Sequence, residues 1–133
     1  MKTKRIILGV ALAACLLSVA VASSRQKEQK PPCGEFGTQY EANQCAHKEF
    51  VEADAELNKT YNRLVAKLDT DEQRAQLKSA ELAWIKYRDA NCEFEADFYK
   101  GGTMRPMIAS FCLARMTNSR AAELKQEMEV FDQ

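Results

Sequence analysis

The chain has 133 residues, with 19 basic and 19 acidic side chains and one histidine. A net charge of zero without a basic stripe excludes the electrostatic footprint of a nucleic-acid-binding protein. The length accommodates one domain with a core of moderate size.

The N-terminus has the layout of an export signal. Lys2, Lys4 and Arg5 precede an apolar run from Ile6 to Val19, and Ala20-Val21-Ala22 forms a small-x-small cleavage signature. Residues 1–22 therefore read as a secretory signal peptide, which places the mature protein in the periplasm or outside the cell. The apolar run is shorter than the roughly 20 residues of a bilayer span. A competing reading comes from Leu12-Ala13-Ala14-Cys15, which is similar to the lipobox of bacterial lipoproteins. Lipidation at Cys15 would tether the chain to a membrane. Without the leader, the 19 basic residues lose three, so 16 face 19 acidic ones and the net charge is near minus 3.

Residues 23–32 (SSRQKEQKPP) are polar and end in two prolines, the composition of a disordered tether. The folded domain is expected over 33–133. It carries Cys33, Cys45, Cys92 and Cys112, and an even number of cysteines in a small exported chain reads as two disulfides with three possible connectivities. The nearest of these cysteines are 12 residues apart and His47 is the only other soft ligand, so no zinc site and no other metal or cofactor is expected.

Thr38 to Glu41 has the form of a capping box, which starts a first helix at about Gln39. Ala46, Phe50, Ala53, Leu57, Tyr61, Leu64 and Leu68 then recur at steps of three and four and share one face. Asp69 to Glu72 interrupts the pattern with turn and cap residues. A second long helix follows, with a stripe through Leu77, Ala80, Trp84, Tyr87, Asn91, Phe94 and Phe98. Lys100 to Pro106 is a loop, because paired glycines stop one helix and proline can start the next. The third helical region runs from about Met107 to Phe131, and Thr117 is a candidate internal cap that bends or splits it. The fold class is all-α: a small antiparallel bundle of three long helices.

On this reading Trp84 and Tyr87 are core anchors, while Arg88 and Cys92 share an adjacent face. In an antiparallel hairpin turning near residue 71, Arg88 comes level with Asp54 and Glu81 with Tyr61. An Arg88–Asp54 pair beside the core reads as a structural clamp rather than a catalytic dyad. No catalytic residues are expected, because hydrolase and metalloprotease motifs and phosphate-cradling glycine loops are all absent from the sequence. His47 falls on a solvated side of the first helix. Glu93 and Asp97, one turn apart, read as a wet acidic face.

Taken in order, Thr38-Gln39, Asn43-Gln44-Cys45-Ala46, Ala53 to Asn58 with Tyr61, Ala83-Trp84-Ile85 with Tyr87-Arg88-Asp89 and Cys92, Gly101-Gly102-Thr103, and Cys112-Leu113 with Thr117 and Arg120 resemble the LprI-like lysozyme-inhibitor family of exported bacterial proteins. The resemblance covers nearly all of the chain after Cys33. It implies a small helical domain with two disulfides, pairing Cys33 with Cys45 and Cys92 with Cys112. The second pair also agrees with the placement of both cysteines about two turns from the glycine loop. For one branch the resemblance implies inhibition of lysozyme, which makes a protein partner, lysozyme, the expected target and the enzyme cleft the surface to be blocked. The candidate contact loop is Gly101, Gly102, Thr103 and Arg105. The alternative is an envelope protein-interaction module that binds through its helical faces.

Overall fold

A computed structural model describes residues 37–131. They form three helices, α1 (Gln39–Lys67), α2 (Asp71–Asp97) and α3 (Arg105–Val130). The expected signal peptide (1–22) and tether (23–32), with Cys15 and Cys33, lie outside the described residues. No helix among the described residues is long and apolar enough to cross a membrane.

Local chemistry sets the helix ends. The Thr38 hydroxyl accepts from the Glu41 amide at 3.2 Å, and the Glu41 carboxylate accepts from the Thr38 amide at 2.9 Å. Thr70 and Gln73 repeat the reciprocal pattern at the start of α2. Each cap satisfies amides that the first helical turn leaves without carbonyl partners. Pro106 stands in the first turn of α3, where its missing N–H costs nothing.

Of the two sequential pairs, α2 and α3 pack closely and α1 and α2 do not. α3 lies along both of the others, whereas α1 and α2 approach each other far less than either approaches α3. α1 and α3 run in the same direction, joined by Asn43 to Thr103 near one end and Glu56 to Lys125 further along. Between them lies the apolar core of Leu57, Leu64, Leu68, Ala121, Leu124 and Met128, flanked by Tyr61, Leu77 and Trp84. The spacing of the α1 face explains this, since every one of its expected apolar positions is buried or half-buried.

Two expectations need correction. The buried residues of α2 are Glu81, Arg88, Cys92 and Ala96. The stripe drawn through Ala80, Tyr87, Phe94 and Phe98 is turned outward by about one residue, or 100° of helix. Tyr87 is therefore not a core anchor but 62% exposed, and Phe94 and Phe98 are exposed with it. Leu77, Trp84 and Asn91 sit on the border common to both stripes and are half-buried. The apolar pattern misled because two charged residues hold the inward positions. Thr117 also neither bends nor splits α3, which is continuous. Its hydroxyl faces inward and accepts from Arg88 Nη1 at 3.2 Å instead of capping a helix start.

Cys92 and Cys112 form a disulfide with a Cα–Cα distance of 5.5 Å, tying α2 to α3. The other expected bridge involves Cys33, which lies outside the described residues. Cys45 is not a free thiol.

Candidate functional site

The connection from α2 to α3 is held from several sides. Tyr99 and Lys100 continue the helix as turns, and the Gly102 amide donates to the Tyr99 carbonyl at 2.9 Å. Gly101 has φ +81°, a left-handed conformation that side chains with a Cβ resist. At Gly102 an added Cβ would press to 3.2 Å from that same Tyr99 carbonyl. From α1, Asn43 Nδ2 donates to the Thr103 carbonyl at 3.2 Å, with Asn43 itself held by Gln39 at 3.0 Å.

Arg105 fastens the far end of the loop. Its guanidinium bonds to Glu93 and, at 3.1 Å, to Asp97. The hydrogen bond to Asp97 and the charge of Glu93 raise its already high pKa. Glu93 and Asp97 thus form a clamp for one cation rather than an acid–base pair. Arg105, a candidate contact residue, is occupied within the molecule. Thr103 and Met104 are exposed, as are Phe98 and Tyr99 on the other side of the glycines. Phe94 and Phe98 meet edge to face, with ring centroids 5.1 Å apart, and continue this surface back along α2 towards Tyr87.

A second group of expected residues gathers around Arg88, which is 7% exposed. Its Nε and Nη2 bond to Asp89 at 2.9 and 2.8 Å, and its Nη1 donates to Thr117. Asp54 Oδ1 stands 3.8 Å from Nη1, an ion pair without a hydrogen bond, while Asp54 Oδ2 accepts from Asn58 at 2.9 Å. The guanidinium lies 5.4 Å from the Phe50 ring centroid and 5.2 Å from that of Trp84. This buried cation is therefore compensated by one carboxylate oxygen that accepts from two of its nitrogens, a hydroxyl and two aromatic faces. Asp54 is the more distant of its two carboxylates.

The sequence reading missed a second buried pair. Arg120 on α3 bonds to Glu81 on α2 through Nε at 2.6 Å and Nη2 at 2.5 Å, and its Nη1 reaches Glu123 at 2.9 Å. Burial acts to lower the Arg120 pKa, but the hydrogen bonds to Glu123 and Glu81 outweigh it and the pKa is raised. A signal was present: Glu81 precedes Arg88 by seven residues, so the two charges occupy one face. Among the described residues no group of three or more His, Cys, Asp or Glu is placed to hold a metal ion.

The geometry is that of a small scaffold with an ionic interior and a braced loop. The family model described as lysozyme inhibitor LprI matches residues 33–124. The chain belongs to the LprI family. An uncharacterized protein of Rhizobium meliloti (strain 1021) is 41% identical to it over 131 residues, spanning 90% of this chain and 93% of its own. The crystal structure of a DUF1311 family protein from Pseudomonas putida KT2440 matches with a TM-score of 0.62 at 24% identity, covering 67% of this chain and 92% of that one. That likeness is one of fold. Within this LprI chain, residues scattered over α2 and α3 converge on the interior: Arg88 and Cys92 from α2 meet Cys112 and Thr117 from α3, and Glu81 meets Arg120.

Proposed function

We propose that the protein is an exported lysozyme inhibitor that occludes the enzyme cleft with the edge formed by residues 98–104. Family membership supports the target, and export fits both the signal-like leader and an extracellular or periplasmic family. The observation that carries the choice of edge is the bracing of an outward-facing loop by Gly101, by the Asn43 bond to Thr103, and by the Arg105 clamp. A loop already held in its bound shape loses little entropy on association. Lysozyme works through two carboxylates, one kept protonated by an apolar pocket. The Thr103 hydroxyl supplies a donor for such a site, and Met104 and Phe98 supply apolar area around it.

The test is inhibition by a Thr103→Ala/Met104→Ala double variant, which keeps both glycines and the Arg105 clamp. Inhibition of lysozyme should fall at least tenfold with the melting temperature preserved, and full inhibition by the double variant removes the loop from the mechanism. A second reading, an envelope interaction module, draws on the exposed line of Tyr87, Phe94 and Phe98. It predicts that Phe94→Ser/Phe98→Ser abolishes binding to an envelope protein while the wild type leaves every lysozyme tested uninhibited.

A further inference from the structure

α1 and α2 form an antiparallel hairpin whose inner faces remain apart, leaving an open groove of about 240 Å³. Leu57 and Tyr61 line it from α1, and Leu82 and Ile85 from α2. Leu82 is 52% exposed although it stands on an apolar wall. Arg88 and Glu81 also border the groove, but each is neutralised: Arg88 by Asp89 and Glu81 by Arg120. At one end Asp54 shares the Arg88 guanidinium with Asp89, which leaves that end net negative, and Lys78 stands at the other. The Asp54 side chain is 45% exposed. Lys78 is exposed, and no ion pair of it is recorded among the described residues. Asp54 lies beside Arg88, and Lys78 precedes Arg88 by ten residues on α2, so the two charges stand about 15 Å apart, close to three helical turns.

We propose that this groove is the docking site for one amphipathic helix of a protein partner, with the acidic first turn of that helix at Lys78 and its basic last turn at Asp54. A long channel between two antiparallel helices with apolar walls accepts side chains at i, i+3 or i+4, and i+7 of a third rod. The charge order decides the direction. A helix favours acidic residues in its first turn and basic residues in its last, and these side chains meet Lys78 and Asp54, respectively, when it runs parallel to α2. The site shares no residue with the 98–104 edge and does not depend on the inhibitor reading.

Two synthetic acetylated peptides of 14 residues provide the probe, both with leucines at i, i+3 and i+7. One has glutamates in the first turn and lysines in the last, and its twin has these charges exchanged. Titrated into the isotope-labelled mature protein, the first peptide should shift backbone amides of residues 54–61 and 78–88 and bind more tightly than its twin. Leu82→Arg should weaken binding at least tenfold with lysozyme inhibition unchanged, which separates this site from the proposed inhibitory edge. Lys78→Glu should reduce the preference for the first peptide over its twin, and Lys78→Glu/Asp54→Lys should invert it. Lys78→Glu alone keeps the test valid if the double variant unfolds. Absence of binding by both peptides, binding that survives Leu82→Arg, or a preference unmoved by Lys78→Glu overturns the proposal. So does self-association of the wild type that Leu82→Arg abolishes, because the occupant would then be a second copy of the chain.

Discussion

The two seams of the molecule are held by different physics. Between α1 and α3, leucines, alanines and a methionine are excluded from water. α2 joins the same α3 through a disulfide, a buried guanidinium and inter-helix ion pairs of Glu81 with Arg120, Glu95 with Arg115, and Glu93 and Asp97 with Arg105. An apolar seam is tolerant of pH and salt, whereas an ionic seam depends on every partner being present. The contrast teaches that α2, which carries much of the exposed aromatic surface, is the more conditional part of the fold.

The largest effect is expected in the apolar seam. Leu124 is fully buried between α1 and α3, and Leu124→Ala should cost about 4 kcal/mol, the transfer term plus a cavity. Urea unfolding followed by circular dichroism should show one cooperative transition at a lower midpoint.

Reduction of Cys92–Cys112, or its replacement by a pair of alanines, sharpens the contrast. The cross-link closes a loop with a sequence separation of 20, for which chain entropy gives about 3 kcal/mol. Hydrogen exchange should accelerate over Asp71–Asp97 before it does in the α1–α3 core. Equal acceleration of all three helices would show that the seams are not separable.

Arg88→Ala should cost about 2 kcal/mol, below the range for a fully buried pair because Asp89 and Asp54 are both partly exposed and can hydrate. Arg88→Ala should also abolish any effect of Thr117→Val, since the Thr117 hydroxyl serves this guanidinium. A double-mutant cycle measured by thermal unfolding checks both statements.

The apolar seam contains one flaw. Thr60 is 1% exposed and its hydroxyl has no hydrogen-bond partner among the described residues. Thr60→Val should stabilise the fold by about 1 kcal/mol by removing an unpaired buried polar group. A fall in melting temperature would mean that the hydroxyl is satisfied in solution.

The smallest effect concerns acid. The hydrogen bond from Lys125, 2.7 Å away, and its charge lower the Glu56 pKa from 4.5. A depressed carboxylate pKa gives stability that is present above the unfolded value and lost as pH falls through the folded value. Glu49 has the opposite sign, its pKa raised by burial and by Glu52, so its ionisation penalises the fold above 4.5. Glu56→Gln should therefore flatten the fall in stability below pH 4.5, and Glu49→Gln should remove a loss of stability that sets in as pH rises above 4.5, both followed by thermal melts across an acid series.

Much of the fold was legible because its signals are local. Capping by Thr38 and Glu41 needs only residues three positions apart, and the α1 stripe reports its burial through spacing alone. The loop from Lys100 to Pro106 announced itself through two glycines and a proline. The orientation of α2 was not legible, because Tyr87, Phe94 and Phe98 make a better apolar stripe than Glu81 and Arg88 do. Only a partner 29 or 39 residues away in sequence reverses that preference.

The sequence by itself determined three helices, their approximate limits, the glycine turn and the likeness to the LprI family, since periodicity, capping and cysteine spacing act over one or a few turns. The tertiary structure alone decided that α3 is the shared partner, that Arg105 is spent on Glu93 and Asp97, and that α1 and α2 leave a groove between them. Burying a charge is favourable only when its counter-charge arrives from another helix, and that condition is met or missed in three dimensions.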